Sequence, residues 1–565
     1  MSAQSPPASP LPDRWCAGVF LLAALGLRLL YAWHFRIDSD EPQHLHVVWA
    51  WTQGLLPYRD VFDNHTPLFQ ALCAPLFHAL GVRADILLPM RVAMIPLFAA
   101  TIWCVWKIAR TFFTARTALW TAVLAAFCPP FFLTSVEFRP DELWTLLWLL
   151  TLTVLATGPL TKARLFSAGL LVGTAFSVSM KSSLLLAALG FAFLGLLVFR
   201  RAAGERPAWS WIGQGACSAA VGMLVIPALT VLFFITHGAG PQMLQCVIKH
   251  NILPGGHSAG RLVKFTFHWL LWLLPVTAGG VLITRLPHAT AVRDRIVFSF
   301  FAAALYYSTL ICFWPILTDE DYLPFYPAMA ITVAPALFWL GDFVGRKLRL
   351  PAVVMPALFA ATSLACIVRA QSPLRDETAD KIGIVADTLK LTRANDLVMD
   401  SKGETIYRQR TMPHLILEGL TTKRIKLGLL PDDIAAQLIA TRTPLVTMRR
   451  MPQQARAFIK ANYVPIAYRL RVLGQVLRED GPPVAGPLRF TIAVPASYTL
   501  VTRAGVAAGL LDGKPFTGPR ELAAGPHEFL PATDAGRLIL VWAEGIGRGY
   551  SPFTELKPDK TTEQD

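Results

Sequence analysis

Long apolar runs separated by short polar connections fill the first two thirds of the chain. They cover 15–35, 89–109, 117–134, 143–158, 165–180, 183–198, 211–235, 267–283, 296–317, 322–340 and 351–368. Several approach the roughly 20 residues that a helix needs to cross a hydrocarbon core of ~30 Å. The segment 67–80 holds about 14 residues, a length that more often lies at the interface or re-enters than spans. Counting it as a span would invert everything after it. Beyond 369 the period changes. Helix-like runs at 378–391, 431–441 and 453–462 alternate with strand-like ones at 396–399, 444–448 and 468–472. A turn-rich break at 481–487 follows, and short strands then punctuated by Leu511-Asp-Gly-Lys-Pro and Ala524-Gly-Pro suggest a small β-sandwich.

The pattern predicts an all-α polytopic membrane domain followed by a soluble α/β domain and a small β-sandwich. The membrane domain has about eleven transmembrane helices plus a juxtamembrane or re-entrant helix in the first outer loop. The expected boundaries are a cytoplasmic N-terminus at 1–14, the transmembrane domain at 15–369, the α/β domain at 370–480, the sandwich at 485–556 and a disordered tail at 557–565.

Composition agrees, with 54% hydrophobic residues, 16% charged and a mean hydropathy of +0.46, more apolar content than one soluble core uses. No small-residue cleavage site follows 15–35 before Arg36, which makes this run an uncleaved first helix. The net charge of +15 does not point to nucleic acid, because the basic residues gather in one set of short loops, among them Lys107, Arg110, Arg116, Lys162, Arg200, Arg293 and Lys347. That side is expected to be cytoplasmic. The opposite loops carry the acids, and an odd number of spans from a cytoplasmic N-terminus leaves the tail on that outer side. The expected location is the inner (plasma) membrane, multi-pass, with a periplasmic C-terminal part. All eight cysteines lie in or beside apolar runs, so no disulfide framework is expected.

Candidate chemistry sits in the outer loops. The first reads Asp38-Ser-Asp-Glu-Pro-Gln-His-Leu-His46 and later Tyr58-Arg-Asp-Val-Phe-Asp-Asn-His-Thr-Pro67. A second cluster, Glu137-Phe-Arg-Pro-Asp-Glu142, stands where one span exits and the next enters. Lys181 ends the fifth run, and 237–264 carries Lys249, His250, His257, Arg261 and Lys264, a candidate phosphate-binding rim. Each has a plainer reading. Acids at helix starts suit the helix dipole, and a Lys at the end of a span commonly snorkels. Arg28, inside the first run, needs a partner.

An acidic pair in a long first outer loop, Arg139-Pro-Asp141 after the third span and Lys181 at the outer end of the fifth together resemble the C-type glycosyltransferases. Among these it looks more like the bacterial branch related to protein O-mannosyltransferases and the lipid A aminoarabinose transferase. Asp40-Glu41 matches the first-loop motif, and Phe62-Asp-Asn-His-Thr-Pro-Leu68 the element after it, with His65 where the family often has Lys. Tyr322-Leu-Pro-Phe-Tyr-Pro327 matches a late element, with Asp321 where many relatives have Arg or Gln. The tail segment Val398-Met-Asp-Ser-Lys-Gly-Glu-Thr-Ile-Tyr-Arg408 is similar to that of some bacterial relatives.

The resemblance implies an inverting hexosyl or pentosyl transferase that moves a sugar from a polyprenyl-phosphate donor to a hydroxyl on an envelope lipid, glycan or protein. Asp40 would be the catalytic base, with Asp38 in reserve, and Asp141 would hold sugar hydroxyls, the acceptor or a divalent ion. Glu41, Asp63, His65, Arg139, Lys181, Lys249, Arg261 and Tyr322 would bind donor or acceptor. The one candidate cofactor is a divalent metal ion, with Asp63, His65 and Asp141 as candidate ligands. Two rivals stand beside this: a transporter or flippase for a lipid-linked sugar, and a membrane-anchored carbohydrate-binding scaffold. Gathering of ionisable residues at one face, without a pair of broken spans, weighs against transport.

Overall fold

The computed structural model describes residues 11–202, 204, 209–251, 290–314, 317–466, 470–480, 486–533 and 536–554. The chain divides into two compact units, one made of Met1–Arg36, Asp63–Cys73 and Leu88–Asp376, the other of Ile37–Phe62, Ala74–Leu87 and Glu377–Asp565.

The first unit is helical. Its elements are α1 (Leu11–His34), α4 (Leu87–Val92), α5 (Ile95–Phe112), α6 (Ala115–Ala126), α7 (Pro129–Thr134), α8 (Pro140–Ala156), α9 (Lys162–Val178), α10 (Ser182–Ala202), α11 (Trp209–Thr236), α12 (Gly240–Met243), α13 (Thr290–Phe313), α14 (Tyr326–Leu348) and α15 (Val354–Ala370). Among the described residues, Asp13–His34, Leu87–Phe112, Trp209–Thr236, Arg293–Phe313 and Tyr326–Leu348 are long and apolar enough to cross a membrane. Ser182–Val198 and Val354–Ala370 are shorter apolar helices. The expected span 267–283 lies outside the described residues. The run 117–134 divides into α6 and α7, because Pro129 and Pro130 cannot continue the bonding of α6 and instead open α7. Likewise 322–340 begins as a 3₁₀ turn, Asp319–Tyr322, and becomes α-helical at Tyr326 with Pro327 in its first turn.

Small residues set the tightest packing. A Cβ on Gly169 of α9 would stand 1.9 Å from the carbonyl oxygen of Ala219 on α11, so the two helices touch through backbone. Arg28, 2% exposed within α1, is satisfied as its burial demands. It donates to the carbonyls of Phe132 and Ser135 at the end of α7 and lies 4.3 Å from the Phe98 ring centroid.

The second unit carries the sheets and part of the first outer loop. Helix α2 (Asp40–Thr52) is buried along Glu41–Ala50, polar residues included; α3 (Leu68–Leu80), 13 residues and about 20 Å at 1.5 Å per residue, falls in this unit only from Ala74 onward. The other helices are α16 (Ala379–Leu391), α17 (Gly419–Lys426), α18 (Ile434–Thr441), α19 (Gln453–Asn462) and α20 (Ala543–Gly547). The strands are β1 (Val398–Met399), β2 (Leu445–Thr447), β3 (Tyr463–Pro465), β4 (Leu470–Arg478), β5 (Leu488–Ile492), β6 (Ala496–Thr502), β7 (Gly505–Val506), β8 (Gly509–Leu511), β9 (Lys514–Phe516), β10 (Arg520–Leu522), β11 (Gly525–Pro531) and β12 (Leu538–Trp542).

One sheet runs β1-β2-β4-β12-β6-β10, with β3 also on β4 and β7 on β6; a second runs β5-β11-β8-β9. The pair β1–β2 is parallel, Val398 opposite Leu445, its crossover carrying α17 and α18. Strand β4 is the hinge of the unit: Val472 faces Leu445 of β2, while Val476 faces Ile539 of β12. The sheet therefore crosses the boundary expected at 480–485, and a single core runs from Ile384 to Trp542. The break at 481–487 separates two adjoining strands of the chain, but β4 needs partners on both edges, and β12 supplies the second.

Candidate active site

In the helical unit the Glu137–Glu142 motif is shaped by the start of α8. Arg139 is extended at φ −143°, ψ 157°, Pro140 takes the first helical position, and Asp141 and Glu142 fall in the first turn, where the dipole favours carboxylates. Arg139 reaches Glu320 at 2.8 Å, Asp141 at 3.3 Å and Glu137 at 3.5 Å. Lys181, in the turn between α9 and α10, donates to Asp141 at 3.0 Å and pairs with Asp321. Arg36 approaches Glu137 at 3.3 Å. Burial alone would depress the Lys181 ammonium, but Asp141 and Asp321 outweigh it and hold the group above its ordinary range. Its ammonium lies 5.7 Å from the Trp144 ring centroid.

Asp321 is held independently of Lys181. Its Oδ2 accepts from the Thr318 N–H at 2.8 Å and hydroxyl at 3.2 Å, capping the 3₁₀ turn, and its carbonyl accepts from Tyr306 Oη at 2.6 Å. Tyr322 is buried beside it, against the rings of Tyr307 and Tyr326. The structure thus gathers Arg139, Asp141 and Lys181, as the motifs suggest, and adds Glu320, an outer-loop acid in the sequence, and Asp321, which stands where many relatives of the resembled family have Arg or Gln. Three basic groups meet four carboxylates here.

Asp63 and His65 pair with each other. The buried Asp63 Oδ1 accepts from the His65 N–H and lies 3.0 Å from its Nδ1. Asn64 takes a bond from Asn251 Nδ2 on its carbonyl at 2.9 Å. Lys249 is exposed at the end of the π-helical turn Leu244–Lys249, and Arg261 lies outside the described residues. Among the described residues, no group of three or more His, Cys, Asp or Glu side chains is close enough together to hold a metal ion.

In the other unit, Asp38, Asp40 and Glu41 form one start to α2. Asp38 accepts the Asp40 N–H at 2.9 Å, and its own N–H donates to Glu41 at 2.9 Å. Asp40 pairs with Lys402 of the tail, a partner that the first loop alone does not announce. Its only trace in the sequence is the segment 398–408. Burial holds His46 below its ordinary value despite the nearby Asp400 carboxylate, and its Nδ1 is 2.8 Å from the Ile406 carbonyl oxygen.

Residues 64–230 match the family model for dolichyl-phosphate-mannose-protein mannosyltransferase. The chain is also similar to the crystal structure of ArnT from Cupriavidus metallidurans bound to undecaprenyl phosphate, with a TM-score of 0.57, 14% identity, and coverage of 81% of this chain and 97% of that one. This is the C-type glycosyltransferase fold. The apo state of the same ArnT superposes almost as well, with a TM-score of 0.56 and again 14% identity over 81% and 97% of the two chains. No curated protein matches the sequence. Within the C-type fold, the family match takes in His65, Arg139, Asp141 and Lys181, while Asp38, Asp40, Glu41, Asp63 and Tyr322 fall outside it.

Proposed function

We propose that this chain is an inverting glycosyltransferase that takes a sugar from a polyprenyl phosphate and gives it to a hydroxyl group on an envelope lipid, glycan or protein. The observation that carries this is the Arg139–Asp141–Lys181 cluster, which lies inside the family-matched residues of a C-type fold. One solved structure of this fold, ArnT, is bound to undecaprenyl phosphate, and the proposed donor is of that chemical class.

In the proposed reaction the acceptor oxygen bonds to the anomeric carbon as the bond from that carbon to the phosphate oxygen breaks, its electron pair leaving with the phosphate. The phosphate goes from one negative charge to two. A cation beside it therefore stabilises the transition state more than the ground state, which is the condition for catalysis. Lys181 and Arg139 are assigned this role, with His65, Lys249, Arg261 and Tyr322 as further donor or acceptor contacts. Asp40 is assigned the acceptor's proton, with Asp38 in reserve, Asp141 the sugar or acceptor hydroxyls, and Glu41 and Asp63 the support of these loops. We further assign about eleven spans, residues 15–369 to the transmembrane domain, an inner-membrane location and an outer, periplasmic C-terminal part with α/β and sandwich portions.

Mass spectrometry of envelope glycans in a deletion strain tests this. One sugar addition should vanish and return with the wild-type gene but not with Asp40→Asn, since losing a general base costs about 10²–10⁴ in rate. An unchanged glycan profile in the deletion strain would refute the transferase, and full restoration by Asp40→Asn would refute its base.

A further inference from the structure

The segment after β1 is built to hold one side chain in place. The buried Asp400 carboxylate accepts from the N–H of Gly403 at 2.7 Å, the N–H and hydroxyl of Thr405 at 3.0 and 2.8 Å, and Arg410 Nε at 2.8 Å. Glu404, also buried, accepts from the N–H groups of Ser401 and Lys402 at 3.0 Å each and from the Ser401 hydroxyl. Arg410 closes the turn on the carbonyl of Asp400 at 2.7 Å. Two buried carboxylates thus fix the backbone on both sides of Lys402. Such a network gives rigidity only when its members are satisfied, as these are.

The same turn is pressed against α2, the helix that begins with Asp40. Gly403 has φ +95°, and a Cβ there would stand 2.7 Å from the His46 Cβ, so a side chain fits neither the backbone nor the space. Ile406 is held at φ +57°, costly for a β-branched residue, and its carbonyl meets His46 Nδ1 at 2.8 Å. At the centre of this arrangement the Lys402 side chain, only 6% exposed, pairs with Asp40, which keeps 25% of its own side chain exposed.

We infer that Lys402 is the positioning residue for Asp40: the C-terminal region supplies the cation that fixes the rotamer in which the exposed edge of this carboxylate meets the acceptor hydroxyl. This rests on the reading of Asp40 as the base. A carboxylate held by an ammonium stays oriented. Orientation matters here, because a displacement of about 1 Å can cost roughly 10²-fold. The tail is then part of the catalytic apparatus while touching no substrate through Lys402.

The test uses the full-length protein in detergent. The donor is the total polyprenyl-phosphate-linked sugar extracted from wild-type host membranes, and the acceptor is envelope material from the deletion strain. Turnover is read as released polyprenyl phosphate and affinity with undecaprenyl phosphate as probe. Lys402→Met should lower kcat about 10- to 100-fold, with donor KM and probe affinity within about twofold of wild type. Lys402→Arg should recover most of the loss, because it restores the charge, and adding Lys402→Met to Asp40→Asn should cost nothing further. Lys402→Gln serves in place of Lys402→Met if that variant does not fold. Normal turnover in Lys402→Met or Lys402→Gln with an inactive Asp40→Asn would overturn the inference and leave Asp40 as base. An active Asp40→Asn would overturn the base itself. Loss of turnover with equal loss of probe affinity and no recovery by Lys402→Arg would make Lys402 a structural residue and also overturn the inference.

Discussion

Replacing Asp321 by Asn should tighten the binding of a polyprenyl phosphate. In the free protein Lys181 is already occupied by Asp141 at 3.0 Å and by Asp321, and Arg139 by Glu320 at 2.8 Å. A donor phosphate that uses Lys181 must displace a carboxylate, so the new bond is offset by the one it replaces. A hydrogen bond to a charged group contributes about 1.5–3 kcal/mol, and 1.4 kcal/mol is about tenfold in affinity. Removing the competing charge should therefore lower the Kd for undecaprenyl phosphate by about tenfold, and at most a hundredfold. Asparagine keeps an oxygen to accept the Thr318 N–H, now at 2.8 Å from Asp321, so the cap of the 3₁₀ turn survives.

The opposite change, Lys181→Met, removes the cation instead. Affinity should fall by about tenfold or more, and folding should suffer as well. Asp141 and Asp321, buried beside it, lose a partner, and breaking a buried ion pair from one side typically costs about 3–5 kcal/mol. Titration of fluorescent undecaprenyl phosphate in detergent, with thermal unfolding in parallel, measures both. The opposite signs are the point of the comparison. If Asp321→Asn weakens the lipid as much as Lys181→Met does, Lys181 acts as part of a fixed frame and not as a phosphate ligand.

Three further outcomes are expected. A cysteine at the exposed Val506 should react with an impermeant maleimide on intact cells; labelling only after permeabilisation would invert the topology and with it the side of Asp40. Gly403→Ala should lower the thermal stability of the purified protein and reduce turnover together, because it strains φ +95° and intrudes on His46; wild-type values for both would mean the turn is not pressed on α2. His527 and Asp512 pair at 2.8 Å. Burial opposes both charges, but the pair raises His527 above its ordinary 6.5 and lowers Asp512 below its ordinary 3.8. Protection of the 511–514 turn in hydrogen exchange should be greatest between those values, falling as pH rises through the raised histidine pKa or drops through the lowered aspartate one. Solvent screening keeps the effect below about 1 kcal/mol, and flat protection from pH 4 to 8 would refute the pairing.

The helices were legible because lipid imposes a continuous signal: an apolar run of sufficient length can do little else in water. Where a run was broken, as at Pro129, the sequence also carried the cause. Several tail elements were legible, with helix expected at 378–391 and found at Ala379–Leu391, and strand at 444–448 and found at Leu445–Thr447, whereas the helix Gly419–Lys426 and the strand Tyr463–Pro465 were not. Its grouping was not. That β4 pairs on one edge with β2 and on the other with β12 depends on strands some 60 residues apart meeting, and nothing local to Leu470–Arg478 states which strands those are. Equally, within 37–62 only 47–53 reads as helical, whereas α2 starts at Asp40, because a buried helix turn with Gln43, His44 and His46 inside it has no clean apolar face to betray it.

The site was legible to the extent that its partners were close in sequence or carried by a motif. Arg139 and Asp141 are two residues apart at a helix start whose geometry Pro140 dictates. Asp321 was visible only as an acid where many relatives of the resembled family have Arg or Gln. Its burial beside Lys181 belongs to the fold, where a buried carboxylate must find a cation. Pairing of this kind avoids leaving charges buried and unpaired. Lys402 is the same logic at 362 residues of separation. A lysine in a turn of Asp, Ser, Gly, Glu and Thr reads as a solvated surface, and only the burial of Asp400 and Glu404 around it turns that segment into a support for Asp40.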